Sequence, residues 1–259
     1  MIICTDLDGT LLTSKNVVSE KTGKSLRRAE AKGHYVVLAS SRPPRSVQRI
    51  ALELGLKSTI RISLNGSFVF EEDHVLANIP IPRPNLFGIS ELVSALDLHL
   101  SAYTEWAWWS RQRDEVLATE ESMVGFAADI VGGAIHRALN SNKLMVVGFP
   151  ERILELQRLV IQSMSDVSAT LSKPDYCEIV ARGVSKASGL ETVCAHLECE
   201  PQDVIAFGDG ENDIELLRFA GTAVAMGNAI EALKSVASIV TLDHDHDGIE
   251  AVLQHLDLV

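Results

Sequence analysis

The chain has 259 residues, 46% hydrophobic and 22% charged, a balance that suits a folded protein with one or two sizeable cores. Its formal net charge of −12 argues against nucleic acid or an anionic membrane surface as the main partner, while leaving room for a small anion at a locally positive site. No apolar run reaches the ~18–20 residues of a membrane-spanning helix, the start Met1-Ile2-Ile3-Cys4-Thr5-Asp6 lacks the basic segment of a secretory signal, and Cys4, Cys177, Cys194 and Cys199 form no CxxC pair, so a cytoplasmic protein is expected.

Ile2 to Thr5 is a short apolar run that ends in acids, consistent with a buried strand. Glu20 to Lys32 reads as a helix, capped by Ser19 and ended by Gly33. Tyr35 to Ala39 is a second strand. Arg45 to Leu54 places Val47, Ile50, Ala51 and Leu54 on one helical face, and Ile60 to Leu64 is a further strand. Pro80, Pro82 and Pro84 then break the rhythm. From there to about Arg182 come all three tryptophans, two long helices (Asn85 to Leu100 and Glu151 to Ser165) and a hairpin of Ala169 to Ser172 with Tyr176 to Val180. The alternation resumes with a helix over Ser185 to Leu197, a strand over Asp203 to Phe207 and a helix over Glu211 to Phe219. A strand over Thr222 to Ala225 and a helix over Ile230 to Val236 come next, and Ser238 to Leu242 and Gly248 to Leu256 finish the chain.

Apolar strands alternating with helices predict an α/β fold with a parallel sheet covered on both faces. Residues 81–182 are expected to form a second, α+β domain inserted between core segments 1–80 and 183–259.

Two acidic clusters follow predicted strands. In Asp6-Leu7-Asp8-Gly9-Thr10 the carboxylates of Asp6 and Asp8 can reach one point at the strand's carboxyl end, where open parallel sheets place their sites. Two carboxylates so close repel unless a cation lies between them, and oxygen ligands suit magnesium. The alternative is a plain turn, since Asp and Gly are common turn residues. In Gly208-Asp209-Gly210-Glu211-Asn212-Asp213, Asp209 stands at a strand end as a further metal ligand, Asp213 lies one helical turn on, and Asn212 falls near a helix start that favours anions. The ordinary reading is an acidic helix start.

Ser40, Ser41 and Arg42 end another strand, where hydroxyls and backbone N–H groups can bind phosphate oxygens or simply cap the helix that follows. Lys186 sits in the first turn of a helix, against the dipole, so a bound phosphate or Asp6 should compensate it unless it is a solvated surface lysine.

Taken together, the blocks DLDGT (6–10), SSR (40–42), GVSK (183–186) and GDGEND (208–213) resemble the haloacid dehalogenase superfamily of phosphohydrolases. Leu64-Asn65-Gly66, Glu178-Ile179 and Val224-Ala225-Met226-Gly227-Asn228-Ala229 are similar to its Cof-type subfamily with a large C2-type cap. The likeness covers nearly all of both core segments.

The resemblance implies a Rossmann-like doubly wound core with an inserted cap. It also implies a magnesium-dependent phosphatase acting on small phosphorylated metabolites, sugar phosphates first, as a monomer or homodimer. Asp6 would be the nucleophile that forms an aspartyl-phosphate, and Asp8 the general acid and then base. Asp6, the Asp8 carbonyl and Asp209 would bind Mg2+, with Asp213 supporting the metal shell. Leu7, Ser40, Ser41, Lys186 and Asn212 would hold the phosphate, with Arg42 beside them, and Asn65 and Gly66 would line the site near the substrate. The subfamily has TGR where this chain has Ser40-Ser41-Arg42, so Ser41 stands in place of a glycine; Ser188 likewise stands where a glycine is common.

Phosphomutase or phosphotransferase chemistry on the same fold is the alternative enzyme function. A phosphate sensor is the alternative without catalysis, disfavoured because Asp6, Asp8, Lys186 and Asp209 are all present. The run Asp243-His244-Asp245-His246-Asp247 is read as a loop capping the last helix rather than a metal site. Trp106 and Trp108 are expected on one strand face, in core packing more than against substrate. Cys194 and Cys199 are assigned no function.

Overall fold

The computed structural model describes residues 1–57 and 59–259. Five-residue apolar runs become strands, and the residues between them become the helices that cover the sheet. In chain order the strands are β1 (Ile2–Asp6), β2 (Tyr35–Ala39), β3 (Thr59–Ser63), β4 (Phe68–Glu71), β5 (His74–Asn78), β6 (His99–Tyr103) and β7 (Trp108–Ser110). They continue with β8 (Ile130–Val131), β9 (Lys143–Val147), β10 (Val167–Lys173), β11 (Tyr176–Ala181), β12 (Val204–Gly208), β13 (Thr222–Ala225) and β14 (Ile239–Val240). The α-helices are α1 (Glu20–Ala31), α2 (Pro44–Leu54), α3 (Arg83–Ala95), α4 (Glu115–Val124), α5 (Pro150–Ser163), α6 (Lys186–Leu197), α7 (Ile214–Phe219), α8 (Glu231–Lys234) and α9 (Gly248–His255).

Contacts divide the chain into two units. The first holds Met1–Ser41, Val47–Ala77 and Ser185–Val259; the second holds Arg42–Ser46 and Asn78–Val184.

The first unit is built on an eight-stranded sheet of order β14-β13-β12-β1-β2-β3-β4-β5. Pairing is parallel from β14 to β3. Successive residues of each strand point to opposite faces, and here both faces are apolar. Ile3, Val36, Leu38, Ile205 and Phe207 pack on one side with Leu26 and Ala29 of α1, Ile50 and Leu54 of α2, and Val252 and Leu253 of α9. Ile2, Cys4, Val37, Ala39, Val204 and Ala206 pack on the other side with Leu190 and Val193 of α6, Leu216 and Leu217 of α7, and Leu233 of α8. This double cover is why the strand sequences read as continuous apolar runs.

The parallel sheet acquires an antiparallel edge, which the sequence reading did not include. Leu64, Asn65 and Gly66 take φ of 50°, 60° and 100°, reversing the chain so that β4 runs antiparallel to β3 with Ile62 opposite Val69.

The second unit is α+β. Its six-stranded sheet has the order β10-β11-β9-β6-β7-β8, antiparallel except for β7 with β8. Leu100, Ala102, Leu144, Val146, Cys177 and Ile179 pack on one face with Leu86, Ile89 and Val93 of α3 and Ile153, Leu156 and Val160 of α5. The hairpin forms as expected, with Lys173 opposite Tyr176.

Two expectations are corrected in this unit. The helix expected to reach Leu100 stops at Ala95, because Asp97 takes φ 51° and turns the chain into β6. Leu98 and Leu100 extended the apolar period past that turn, although Leu100 belongs to a strand. Trp106 precedes β7 instead of sharing a face with Trp108; it is 39% exposed, while Trp108 and Trp109 are buried. Its turn is closed by hydrogen bonds between Thr104 and Ala107.

Among the described residues, no helix is long and apolar enough to cross a membrane, and all four cysteines are free thiols. Leu38 is fully buried between β1, β3 and the helices of its face. Leu38→Ala is expected to cost about 2–5 kcal/mol in denaturant unfolding; a loss below about 1 kcal/mol would contradict the tight packing described for that layer.

Candidate active site

The parallel register sets β1, β2, β3 and β12 side by side, with Asp6 opposite Ala39, Ala39 opposite Ile62 and Thr5 opposite Phe207. The chain segments leaving these strands therefore meet at one edge of the sheet. Asp6 is the last residue of β1 and is 4% exposed. After it the chain coils back, with Leu11 N donating to Asp6 O at 3.3 Å and Leu12 N to Leu7 O at 2.8 Å. Gly9 makes this possible: its φ is 77°, and a Cβ there would lie 2.4 Å from Asp209 Oδ2. Asp8, in the same coil, keeps an exposed position.

Lys186 enters from α6. Ser185 caps that helix by accepting from Ser188 N at 3.2 Å, and Ser188 Oγ accepts in return from Ser185 N at 3.0 Å. The serine at 188 thus adds a reciprocal cap. The helix start is seated against the Leu64–Gly66 turn, where a Cβ on Gly66 would come within 2.0 Å of Ser185 O. Lys186 is 2% exposed, and its Nζ donates to Asp6 Oδ1 and Asp213 Oδ1, each at 2.6 Å. It is therefore not a surface lysine, and the compensation its place against the helix dipole requires comes from two carboxylates.

Asp213 is fully buried at the end of the short 3-10 turn Glu211–Asp213. That turn replaces the first part of the helix expected over 211–219; α7 begins only at Ile214. Asp213 Oδ2 accepts from the backbone N–H groups of Asp209 and Gly210, both at 3.0 Å. Asp209 Oδ1 accepts from Thr10 Oγ1 at 2.9 Å. Carboxylate oxygens of Asp6, Asp209 and Asp213 lie within 4.8 Å of one another.

Ser40 is buried directly after β2; its N–H donates to Ile62 O at 2.8 Å and its carbonyl accepts from Asn65 N at 3.1 Å. This links two of the segments expected to hold substrate. Ser41 has no positive φ, so serine sits there without the backbone strain that a glycine's place suggested. Arg42 follows in a bend and is grouped by its contacts with the second unit. Leu7 is buried with its side chain in the core. Asn212 lies on the exposed side of the Glu211–Asp213 turn, outside the carboxylate trio.

The electrostatics are those of a site short of positive charge. Burial, above all, pushes the Asp6 carboxyl well above its usual range; Lys186 pulls it down, and Asp213, Asp8 and Asp209 add to the rise. Burial and then Asp213 raise Asp209 as well. Burial alone would lower Lys186, but Asp213 and Asp6 outweigh it and hold the ammonium above the ordinary lysine value. One ammonium among three carboxylates leaves an excess of negative charge, which protons or a cation must meet.

Sequence reasoning missed two members of this network. Thr10 belongs to the DLDGT block, yet its hydroxyl had no assigned task. Asn228 was noted only within the block 224–229; its Nδ2 donates to Gly9 O at 2.9 Å. The run Asp243–Asp247 is structural: Asp245 accepts from Ser14 N at 2.9 Å, Asp243 from Asp245 N at 2.9 Å, and Asp247 from the hydroxyls of Ser19 and Thr22.

The raised Asp6 carboxyl has a stability consequence. A carboxyl held above its unfolded value favours the folded state below roughly pH 3.9 and opposes it as pH rises through the folded value. In chelator, Asp6→Asn removes that opposition. The Tm of the variant minus that of the wild type should therefore grow as pH rises from about 4 to 8; a difference that stays flat would count against a raised Asp6.

A family model for haloacid dehalogenase-like hydrolases matches residues 3–253. Two Bacillus subtilis proteins, the 5-amino-6-(5-phospho-D-ribitylamino)uracil phosphatases YcsE and YitU, are 27% and 28% identical to this chain. Each alignment covers 98% of this chain, with 94% of YcsE and 96% of YitU. A crystal structure of a haloacid dehalogenase-like hydrolase from Bacteroides thetaiotaomicron superposes with a TM-score of 0.91 at 26% identity, covering 98% of both chains. A match over nearly the whole chain, together with the lysine-bridged carboxylates at the strand ends, shows that this chain belongs to the haloacid dehalogenase-like hydrolases and is a phosphatase of that family.

Proposed function

We propose that this phosphatase hydrolyses phosphate monoesters of small polyhydroxylated metabolites through a phosphorylated Asp6, with Mg2+ as its metal. The observation that carries the reading is the Lys186 ammonium held at 2.6 Å from both Asp6 and Asp213, with Asp209 in the same cluster. The donor set fits a hard divalent cation: carboxylate oxygens in excess of positive charge, with no thiol or imidazole in the trio. Asp6 and Asp209, with the Asp8 carbonyl, would hold it, and Asp213 would support them. When bound, the ion would screen the charge of phosphate and carboxylates from each other.

The remaining steps belong to the chain. Lys186 fixes Asp6 through Oδ1, and Oδ2 attacks phosphorus. The ester P–O bond breaks, and the departing alkoxide takes a proton from the Asp8 carboxyl. The Asp8 carboxylate then takes a proton from water, whose oxygen attacks phosphorus, releasing inorganic phosphate and restoring Asp6. Ser40, the backbone of Ser41 and Leu7, Lys186 and Asn212 would bind the phosphoryl oxygens, with Arg42, Asn65 and Gly66 toward the substrate. Most of the rate enhancement would come from positioning and charge neutralisation.

Sugar phosphates lead the substrate class. The names of YcsE and YitU add a ribityl phosphate, which shares the polyol chain and primary phosphate ester. The unpaired cysteines accord with the cytoplasm as its compartment.

The test is inorganic phosphate release from a panel of sugar phosphates and 5-amino-6-(5-phospho-D-ribitylamino)uracil. Mg2+ should support turnover, chelator should abolish it, and Asp6→Asn should lower kcat by at least about 10³-fold with the fold retained. Turnover by Asp6→Asn at the wild-type rate would overturn the nucleophile assignment, and activity that follows Zn2+ instead of Mg2+ would overturn the metal.

A further inference from the structure

We propose that Asn228 is a positioning residue for the reaction: its side-chain amide holds the Asp209 carboxylate in register with the loop that follows the nucleophile. The inference rests on the reading of Asp209 as a metal ligand.

Asn228 lies just beyond β13, where three segments converge. Its Nδ2 donates to Gly9 O at 2.9 Å and makes a longer contact with Asp209 Oδ2 at 3.4 Å. Its Oδ1 accepts from His244 N at 3.1 Å. That last bond orients the amide: with its oxygen turned to a backbone N–H, its NH2 group must face the Gly9 carbonyl and the Asp209 carboxylate. The opposite orientation would set an oxygen against two other acceptors.

The backbone around it is pinned to the same place. Ile230 N donates to Asp209 O at 3.0 Å, Met226 N to Gly208 O at 3.0 Å and Gly227 N to Leu242 O at 3.1 Å. The 243–247 run is in turn tied to the post-nucleophile loop by Asp245 and Ser14. That run thus serves as the brace behind this amide.

The chemistry of the donors explains the arrangement. Asp6 and Asp213 are hydrogen-bonded to an ammonium, whereas the donors to the Asp209 carboxylate are a hydroxyl, from Thr10, and an amide, from Asn228. Neutral donors fix the direction of a carboxylate without cancelling the charge that attracts a cation, and such outer partners commonly set metal affinity. Gly9 leaves the space into which Asp209 fits, since a Cβ there would strike Oδ2. Asn228 bonds to the carbonyl of that same residue, so one side chain sets both the position of the loop and the direction of the carboxylate.

The decisive measurement is calorimetric titration of Mg2+ into the metal-free full chain, comparing wild type with Asn228→Ala, Asn228→Leu and Asp209→Asn, alongside the Mg2+ dependence of phosphate release. Leucine keeps the branched shape of asparagine and loses its hydrogen bonds, and Asn228 is exposed, so both variants should fold, as metal-free melting checks. Both should bind Mg2+ about 10-fold more weakly, with kcat returning toward wild type as Mg2+ is raised, and Asp209→Asn should weaken it further. Wild-type Mg2+ affinity in the Asn228 variants would overturn the proposal, whatever happens to kcat. Absence of Mg2+ binding by the wild type, or full affinity in Asp209→Asn, would overturn the metal reading of Asp209 and this inference with it.

Discussion

Everything at the strand ends depends on one buried ammonium between two carboxylates. Lys186 is 2% exposed and reaches Asp6 and Asp213 at 2.6 Å each. Taking three charges out of water is costly, and the attraction among them recovers that cost only if the geometry is close and the remaining oxygens are also bonded. The chain meets that condition at Asp213, whose second oxygen accepts from two backbone N–H groups, while Asp6 keeps one oxygen outside the bridge. Removing Lys186 would leave two carboxylates without their shared counter-charge in a place water barely reaches.

That constraint explains the local conformations around it. The positive φ at Gly9 and the close approach of Gly66 to Ser185 allow the coil after β1 and the start of α6 to crowd the same point. The apolar sheet beneath fixes the level at which they meet, because Ile2 to Cys4 and Val204 to Phe207 are buried on both faces and cannot slide. The site still carries more negative than positive charge, an excess that protons or a cation must meet.

The second unit obeys a simpler rule. One face of its sheet is apolar and packs on α3 and α5. The opposite face carries His99, Ser101, Tyr103, Lys143 and Glu178 on alternate positions, with Lys143 paired to Glu178 at 3.0 Å and Glu120 of α4 accepting from Tyr176 at 2.9 Å. Partly polar strands of this kind read less clearly than the core strands, and the sequence reading was weakest here. It ran α3 through Asp97 into β6 and placed Trp106 in a strand, because apolar spacing alone does not show a single left-handed residue or a side-chain-closed turn.

By itself the sequence determined the alternation of strands and helices and the acids at the ends of β1 and β12. Those features are local: apolar runs must be buried, and a carboxylate after a buried strand must emerge at its end. Only the tertiary structure decided that Lys186 bridges Asp6 and Asp213, that Leu64–Gly66 turns the sheet into an antiparallel edge, and that Thr10, Asn228 and the 243–247 run converge on Asp209. These contacts join residues up to 231 positions apart. Such pairings follow from the parallel register and from how each helix docks on the sheet, and no residue's immediate neighbours in the chain specify them.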